Sequence, residues 1–424
     1  MKTMPPPDPF SEPFESRTTL EIQGVGLQIA SNSPEFVDYV PQHVHVFTPA
    51  PGSAPDVEVN VLWVRESDYD PDLHRFGGLD ALDRIGKRML GNESLLVCQV
   101  VTTVKRLQLR FRVDGRRLAV DAICRYRVGD DGRHRDGVEG VDAAIYKEFF
   151  KAMVHFVYYP LAWYLEHFRG LFLLHASAVE LNGRAIVICG VGGVGKSTTS
   201  VGMLVNAGAR FISESLVFYD SSNIYGCYEP VRIGNASLAM LGATNGYLHD
   251  TGISRLAKKK NLYHVELDHI VGEAPAGAVF LPTFSSRTEV RPLDAKVGVD
   301  RMLAINAQSR KITDYYWFAS ALDMMWPRLG GAAQRVSKLT HLLASTRTFD
   351  LRIGPESGVE PVLDAILEQA GCAGVQVTGS RAGCSGAAAR EPGGTATTRP
   401  GSATAGVARL SQKVDRNRDL QVEK

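Results

Sequence analysis

The sequence predicts an α/β P-loop domain preceded by a β-rich N-terminal domain, and three observations carry that reading. The string from Gly190 to Ser197 matches G-x-x-x-x-G-K-[ST] and lies between an apolar strand and a helical segment. From Leu171 to about Gln369, short apolar strands alternate with helical stretches, the pattern of an α/β sheet domain. Ahead of them, residues 18–128 alternate polar and apolar side chains at the period of a strand.

At 424 residues the chain has room for two such domains. Residues 1–17, rich in Pro, Glu and Ser, predict a disordered lead-in, because no face in them can be buried. In 18–128 the strand signals are Val44 to Phe47, Val57 to Val61 and Leu107 to Val113. The last is followed by Asp114-Gly115, a hairpin turn, with Arg116 to Ile123 returning. No catalytic constellation stands out here, so this part reads as a recognition or scaffold domain. Residues 129–142 are polar and Gly-rich and predict a linker. The P-loop domain then covers 143–370. It opens with an aromatic-rich helical stretch that Pro160 should kink or divide, and Arg169-Gly170 ends it. The segment 371–424 is built from small residues and then charges, and predicts a disordered tail.

A formal net charge of +1 provides no field that would draw the chain to nucleic acid or to an acidic membrane. The most apolar run, Ala152 to Leu165, contains His155 and Pro160 and falls short of the roughly 20 residues that span a bilayer. Cys98, Cys124, Cys189, Cys227, Cys372 and Cys384 show no C-x-x-C spacing and read as free thiols. With no apolar leader at the start, the expectation is a cytoplasmic protein without nucleic-acid or membrane partners. Its oligomeric state is left open.

The phosphate loop comprises Gly190, Val191, Gly192, Gly193, Val194, Gly195, Lys196 and Ser197, with Thr198 behind it. Ala185 to Cys189 forms the strand before it, and Lys196 to Ala207 the helix after it, with Gly208 as the cap. Glycines let successive backbone N–H groups converge on phosphate oxygens, and the helix N-terminus adds partial positive charge. Lys196 is the candidate for the β- and γ-phosphates of ATP, and the Ser197 hydroxyl for Mg²⁺.

Upstream, Asn182-Gly183 marks a two-residue hairpin between Leu174–Leu181 and the strand leading into the loop. Pairing Leu181 with Arg184 and extending that register sets His175 opposite Gly190. A histidine at the lip of the loop could donate a hydrogen bond to a phosphate oxygen or, if protonated, offset charge on the transferring group.

The sequences Leu174-His175-Ala176-Ser177-Ala178-Val179, Asn182-Gly183-Arg184, the loop itself and Gly208 to Ser215 together resemble the HPr kinase/phosphorylase group. More closely, they resemble the HPr-kinase-like proteins of peptide natural-product gene clusters. The resemblance is strong over about 170–235 and looser over 143–369. It implies the core shared with phosphoenolpyruvate carboxykinase, and a kinase acting with ATP and Mg²⁺ on a serine-like hydroxyl of a protein, peptide or small molecule. A catalytic histidine maps to His175. The group's paired aspartates map to Glu214-Ser215, an acid followed by a serine. Glu214 is thus the expected base or metal ligand beside Ser197, and Glu229 the second magnesium-binding acid. The serine at 215 keeps open a nucleotide-binding regulator without turnover. Asp220 reads as a turn residue, Lys258 to Lys260 as a solvated face, and Tyr315 to Phe318 as helical core.

Overall fold

Strand alternation in the first third of the chain builds a sheet with one greasy face. The computed structural model describes residues 8–44, 54–101, 106–127, 139–242, 244–251, 261–328, 330–354 and 358–371. The first sheet contains β1 (Ser16–Ile22), β2 (Val25–Ser31), β3 (Val57–Arg65), β4 (Asp83–Gly86), β5 (Met89–Asn92), β6 (Leu95–Cys98), β7 (Leu107–Asp114) and β8 (Arg117–Tyr126). Its order is β1-β2-β3-β8-β7-β6-β5-β4, parallel at β2–β3 and β3–β8 and otherwise antiparallel. Every second side chain, Val57, Val59 and Val61 in β3 and Leu107, Leu109 and Phe111 in β7, lies in one buried core.

Two local expectations change here. The β7–β8 ladder closes at Asp114↔Arg117, so the two-residue loop is Gly115-Arg116, one position later than Asp114-Gly115. Gly115 takes the positive φ of 56°. Val44, expected to begin a strand, instead ends helix α1 (Pro34–Val44), and 45–47 lie outside the described residues. Helical spacing of Phe36, Val37, Val40, His43 and Val44 outweighs the short β-branched run, and Ser33 Oγ accepts from the Phe36 N–H at the helix start.

The aromatic stretch becomes α2 (Glu139–Met153), one wide π-turn at Val154–Tyr158, and α3 (Tyr159–Phe168). Pro160 sits in the first turn of α3, and the π-turn widens the backbone just where the proline ring and its missing N–H would disrupt ordinary α-helix. Gly170, at φ 66°, ends the element.

The second sheet holds β9 (Phe172–Leu174), β10 (Ser177–Leu181), β11 (Arg184–Ile188), β12 (Arg210–Ser213), β13 (Val217–Tyr219) and β14 (Asn223–Gly226), joined later by β18 (Glu273–Phe284), β19 (Glu289–Pro292) and β20 (Arg347–Ile353). Between them come β15 (Val231–Ile233), β16 (Leu248–Asp250) and β17 (Asn261–Val265), a small separate sheet. The helices are α4 (Lys196–Ala207), α5 (Asn235–Leu241), α6 (Ala295–Gln308), α7 (Arg310–Met325), α8 (Gly331–Ala344) and α9 (Val359–Gln369). β11, β18 and β20 run parallel at its centre. Ile186 and Ile188 pack with Val201 of α4 and Leu363 of α9 on one face, and Val187 packs with Met302 of α6 and Leu342 of α8 on the other. Burial on both faces is what a parallel centre requires. The result is a mixed α/β fold in which, among the described residues, no helix is long and apolar enough to cross a membrane.

The two sheets meet over one core, where Phe111 of β7 contacts Phe318 of α7 at a ring separation of 5.2 Å. Tyr315 and Phe318 are buried there, as helical packing predicts. A buried charge cluster fixes α7 and α8 against α3: Glu166 Oε2 accepts from Arg328 at 3.0 Å and Arg335 at 2.8 Å. Removing one partner of such a cluster leaves uncompensated charge in the interior, so Glu166→Ala should lower unfolding free energy by about 3–5 kcal/mol, read from urea denaturation. Burial also pushes His43 down to about 3 and His155 to about 4 from the ordinary 6.5. Both stay neutral when folded and gain protons on unfolding, so their contribution is full above that ordinary value and falls away as pH drops. The thermal midpoint should therefore fall as pH is lowered from about 7 to about 5, with on the order of 2 kcal/mol per histidine lost, and His155→Leu should flatten part of that slope.

Candidate active site

The loop between β11 and α4 follows from its neighbours. β11 runs beside β18, and the Cys189 N–H extends the ladder by donating to the Phe280 carbonyl at 3.0 Å. At Gly190 a Cβ would lie 2.8 Å from Val194 Cγ2 and 3.0 Å from Pro282, so only glycine lets the chain leave the sheet here. Gly193 and Gly195 have φ of 88° and 90°, values a side chain disfavours, and nothing stands within 4 Å of their missing Cβ positions. The loop is thus curled and open on one side. Helix α4 starts at Lys196 as the spacing predicts, and Gly208 ends it at φ 67°.

Lys196 is buried and its ammonium bridges the loop, donating to the Gly190 carbonyl at 2.8 Å, to Val191 at 3.1 Å and to His175 Nε2 at 3.2 Å. His175 reaches it by a different route from the one expected. Asn182 and Gly183, at φ 54° and 77°, make the hairpin, and Leu181 pairs with Arg184. The ladder stops at Ser177↔Ile188, so His175 is not paired with Gly190. Leu174 instead pairs with Val217, and His175-Ala176 is the crossing between the two ladders. Asn306 Oδ1 holds the crossing by accepting from the His175 N–H at 3.0 Å.

Burial and then the Lys196 and Lys311 cations push the imidazole down to about 3. It is therefore neutral near pH 7, which removes the protonated role considered from the sequence. With Lys196 donating to Nε2, the ring proton belongs on Nδ1, which faces the Ser215 backbone without a hydrogen bond of good geometry among the described residues.

β12 delivers Glu214 to the start of α4, where Ser197 Oγ donates to its carboxylate. Ser177 Oγ bonds the Glu214 carbonyl and fixes the backbone. Burial raises the Glu214 pKa, opposed by the Ser197 hydrogen bond and by Lys311. Next to it, Ser215 Oγ accepts from Lys311 Nζ at 3.2 Å, and the same ammonium holds both Glu229 oxygens at 2.6 and 2.8 Å. His175, Lys196, Ser197 and Glu214 therefore come together, while Glu229 joins them through Lys311 rather than by touching Ser197. Thr198 Oγ1 donates to Ser237 Oγ at 3.1 Å on the first turn of α4.

Asp220 caps an ordinary turn, its Oδ1 accepting from the Ser222 and Asn223 N–H groups at 2.7 and 2.8 Å. Lys258 to Lys260 lie outside the described residues, as do 128–138 and everything after 371. Among the described residues no group of three or more His, Cys, Asp or Glu gathers as for a metal ion. Lys311 was not foreseen. Its one sequence signal is that Arg310-Lys311 places two cations in the first turn of a helix, where the macrodipole disfavours them unless an acid is near.

No family model matches the chain, and no curated protein matches it. Among solved structures, the chain is similar to the Hpr(Ser) kinase/phosphatase from Coxiella burnetii, at 13% identity over 28% of this chain and 76% of that one, with a TM-score of 0.19. A superposition that poor carries no structural argument.

Replacing Gly193 by Ala forces a side chain onto a backbone at φ 88°. Gly193→Ala should lower stability by about 1–3 kcal/mol, measured by thermal unfolding.

Proposed function

We propose that the chain is an ATP-dependent phosphotransferase that moves the γ-phosphoryl to a hydroxyl acceptor. The observation that carries this reading is Glu214, a buried carboxylate of raised pKa bonded to Ser197 at the mouth of an open phosphate loop. The donor set fits a nucleoside triphosphate with Mg²⁺: left-handed glycines with free space over them, a helix N-terminus, a lysine, and a hydroxyl beside a carboxylate. Mg²⁺ at Ser197 would neutralise charge on the phosphate oxygens and leave the Glu214 carboxylate beside it for the acceptor.

The chain's own groups do the rest. Lys196 carries the charge for the β- and γ-phosphates, and the neutral His175 accepts from its ammonium and holds it in line. Glu214 takes the proton from the acceptor hydroxyl as the new oxygen–phosphorus bond forms and the bond to ADP breaks. Its raised pKa makes it a better base than an exposed carboxylate once it is ionised.

A second reading, a nucleotide-binding regulator without turnover, is favoured by the serine at 215 and by the ion pair that ties Glu229 to Lys311. The two separate on γ-labelled ATP with a panel of hydroxyl acceptors. For the kinase, Lys196→Ala abolishes nucleotide binding, and Glu214→Gln leaves nucleotide affinity nearly unchanged but lowers turnover by about 10²–10⁴-fold. The acidic limb of the pH–turnover profile should lie above the ordinary carboxylate range, because the base form appears only as pH rises past the raised pKa, and Glu214→Gln should erase that limb. Wild-type protein that binds ATP yet labels no acceptor supports the regulator instead.

A further inference from the structure

A cleft of about 600 Å³ lies between β7–β8, the α2–α3 stretch and the start of α7. Its volume falls in the range of small-molecule sites and well below what a folded protein surface needs. Leu107, Phe150, Phe156 and Tyr159 supply apolar wall. Among the described residues lining it, Arg106, Arg125, Lys151, Arg310 and Lys311 are cations, met by four acids, Glu148 and Asp314 in the lining and Glu66 and Glu229 behind it, which leaves one positive charge in excess. An excess of positive charge around an apolar interior suits a molecule with a greasy body and an anionic group.

Two observations tie the cleft to a ligand and to the phosphate site. His155 lines it and is buried, and among the described residues its Nε2 has no hydrogen-bond partner. Burial keeps the ring neutral near pH 7, so Nε2 can carry the ring proton and donate it to an anionic oxygen. Lys311 lines the same cleft while its ammonium contacts Ser215 and Glu229. One side chain therefore spans from the cleft wall to the segment bearing Glu214.

We propose that this cleft is the acceptor site, and that it takes a small hydroxylated carboxylic acid with an apolar body. The carboxylate lies among the rim cations, where one of its oxygens accepts a hydrogen bond from His155 Nε2, and the apolar chain lies along Phe150 and Phe156. The end at Lys311 presents the reacting hydroxyl toward Glu214. This rests on the phosphotransferase reading for the chemistry, but not for binding.

The test is calorimetric titration of the full chain with 3-hydroxy fatty acids of about six to twelve carbons, a length range suited to a cleft of this size, and with their methyl esters. At least one acid should bind, its ester should bind about tenfold or more weakly, and the double variant Lys151→Glu/Arg310→Glu should weaken the acid by a similar factor while leaving affinity for a non-hydrolysable ATP analogue unchanged. Both variant side chains are largely exposed, so the fold should tolerate them. Absence of binding by every acid, equal binding of acid and ester, or an indifferent double variant overturns the inference. An acid that binds in this pattern but never receives phosphate upholds the cleft as a binding site, overturns its role as acceptor site and leaves the kinase reading to the acceptor panel. Phosphate transferred to another acceptor with the double variant unaffected does the reverse.

Discussion

The site depends on keeping polar groups dry without leaving them alone. Lys196 and Glu214 are buried and His175 is half-buried, and an unpaired charge at such a place would be costly. Each is paired through backbone position: Lys196 with the carbonyls of its own loop, Glu214 with Ser197, His175 with Lys196. That arrangement requires the chain to leave one ladder after Leu174 and join another at Ser177. The two-residue crossing is the geometric condition for the histidine to meet the lysine, and Asn306, from α6, holds it in place.

Legibility in the sequence tracks how local each determinant is. The strand–loop–helix conformation around Gly190 to Ser197 was readable because strand, glycines and helix are contiguous and the helix cap at Gly208 belongs to the same stretch. The Asn182-Gly183 hairpin was readable for the same reason, and its register held as far as Ser177↔Ile188. Beyond that, extrapolation failed because pairing of Leu174 with Val217 is decided by a strand more than forty residues away. The strand expected over Val44 to Phe47 is overturned at Val44, which belongs to the helical burial pattern of α1. Lys311, His155 and the cleft around them were invisible, since α7 meets β7 and α3 only through tertiary packing.

The aromatic interior also explains how two sheets of different origin in the chain act on one place. Phe36, Trp63, Phe149 and Phe156 interlock between the first sheet and the α2–π stretch, with ring separations of 5.0–6.0 Å. Tyr159 then contacts Tyr315 and Phe318, and its hydroxyl donates to the Lys311 carbonyl at 2.9 Å. Packing of the N-terminal sheet is thereby felt at the residue that reaches Ser215.

The π-turn at Val154–Tyr158 has a further meaning when described as angular phase. A turn widened by one residue holds back every side chain after it by about 100° around the helix axis relative to an unbroken α-helix. Residues before it, such as Phe149, face the first sheet, while Tyr159 and Trp163 after it are directed to α7, where Trp163 Nε1 donates to Asp323 at 2.9 Å. The wide turn works as a phase shifter: it lets one continuous helical rod serve two differently oriented neighbours, and it sets the rotational angle at which α7 offers Lys311 to the site.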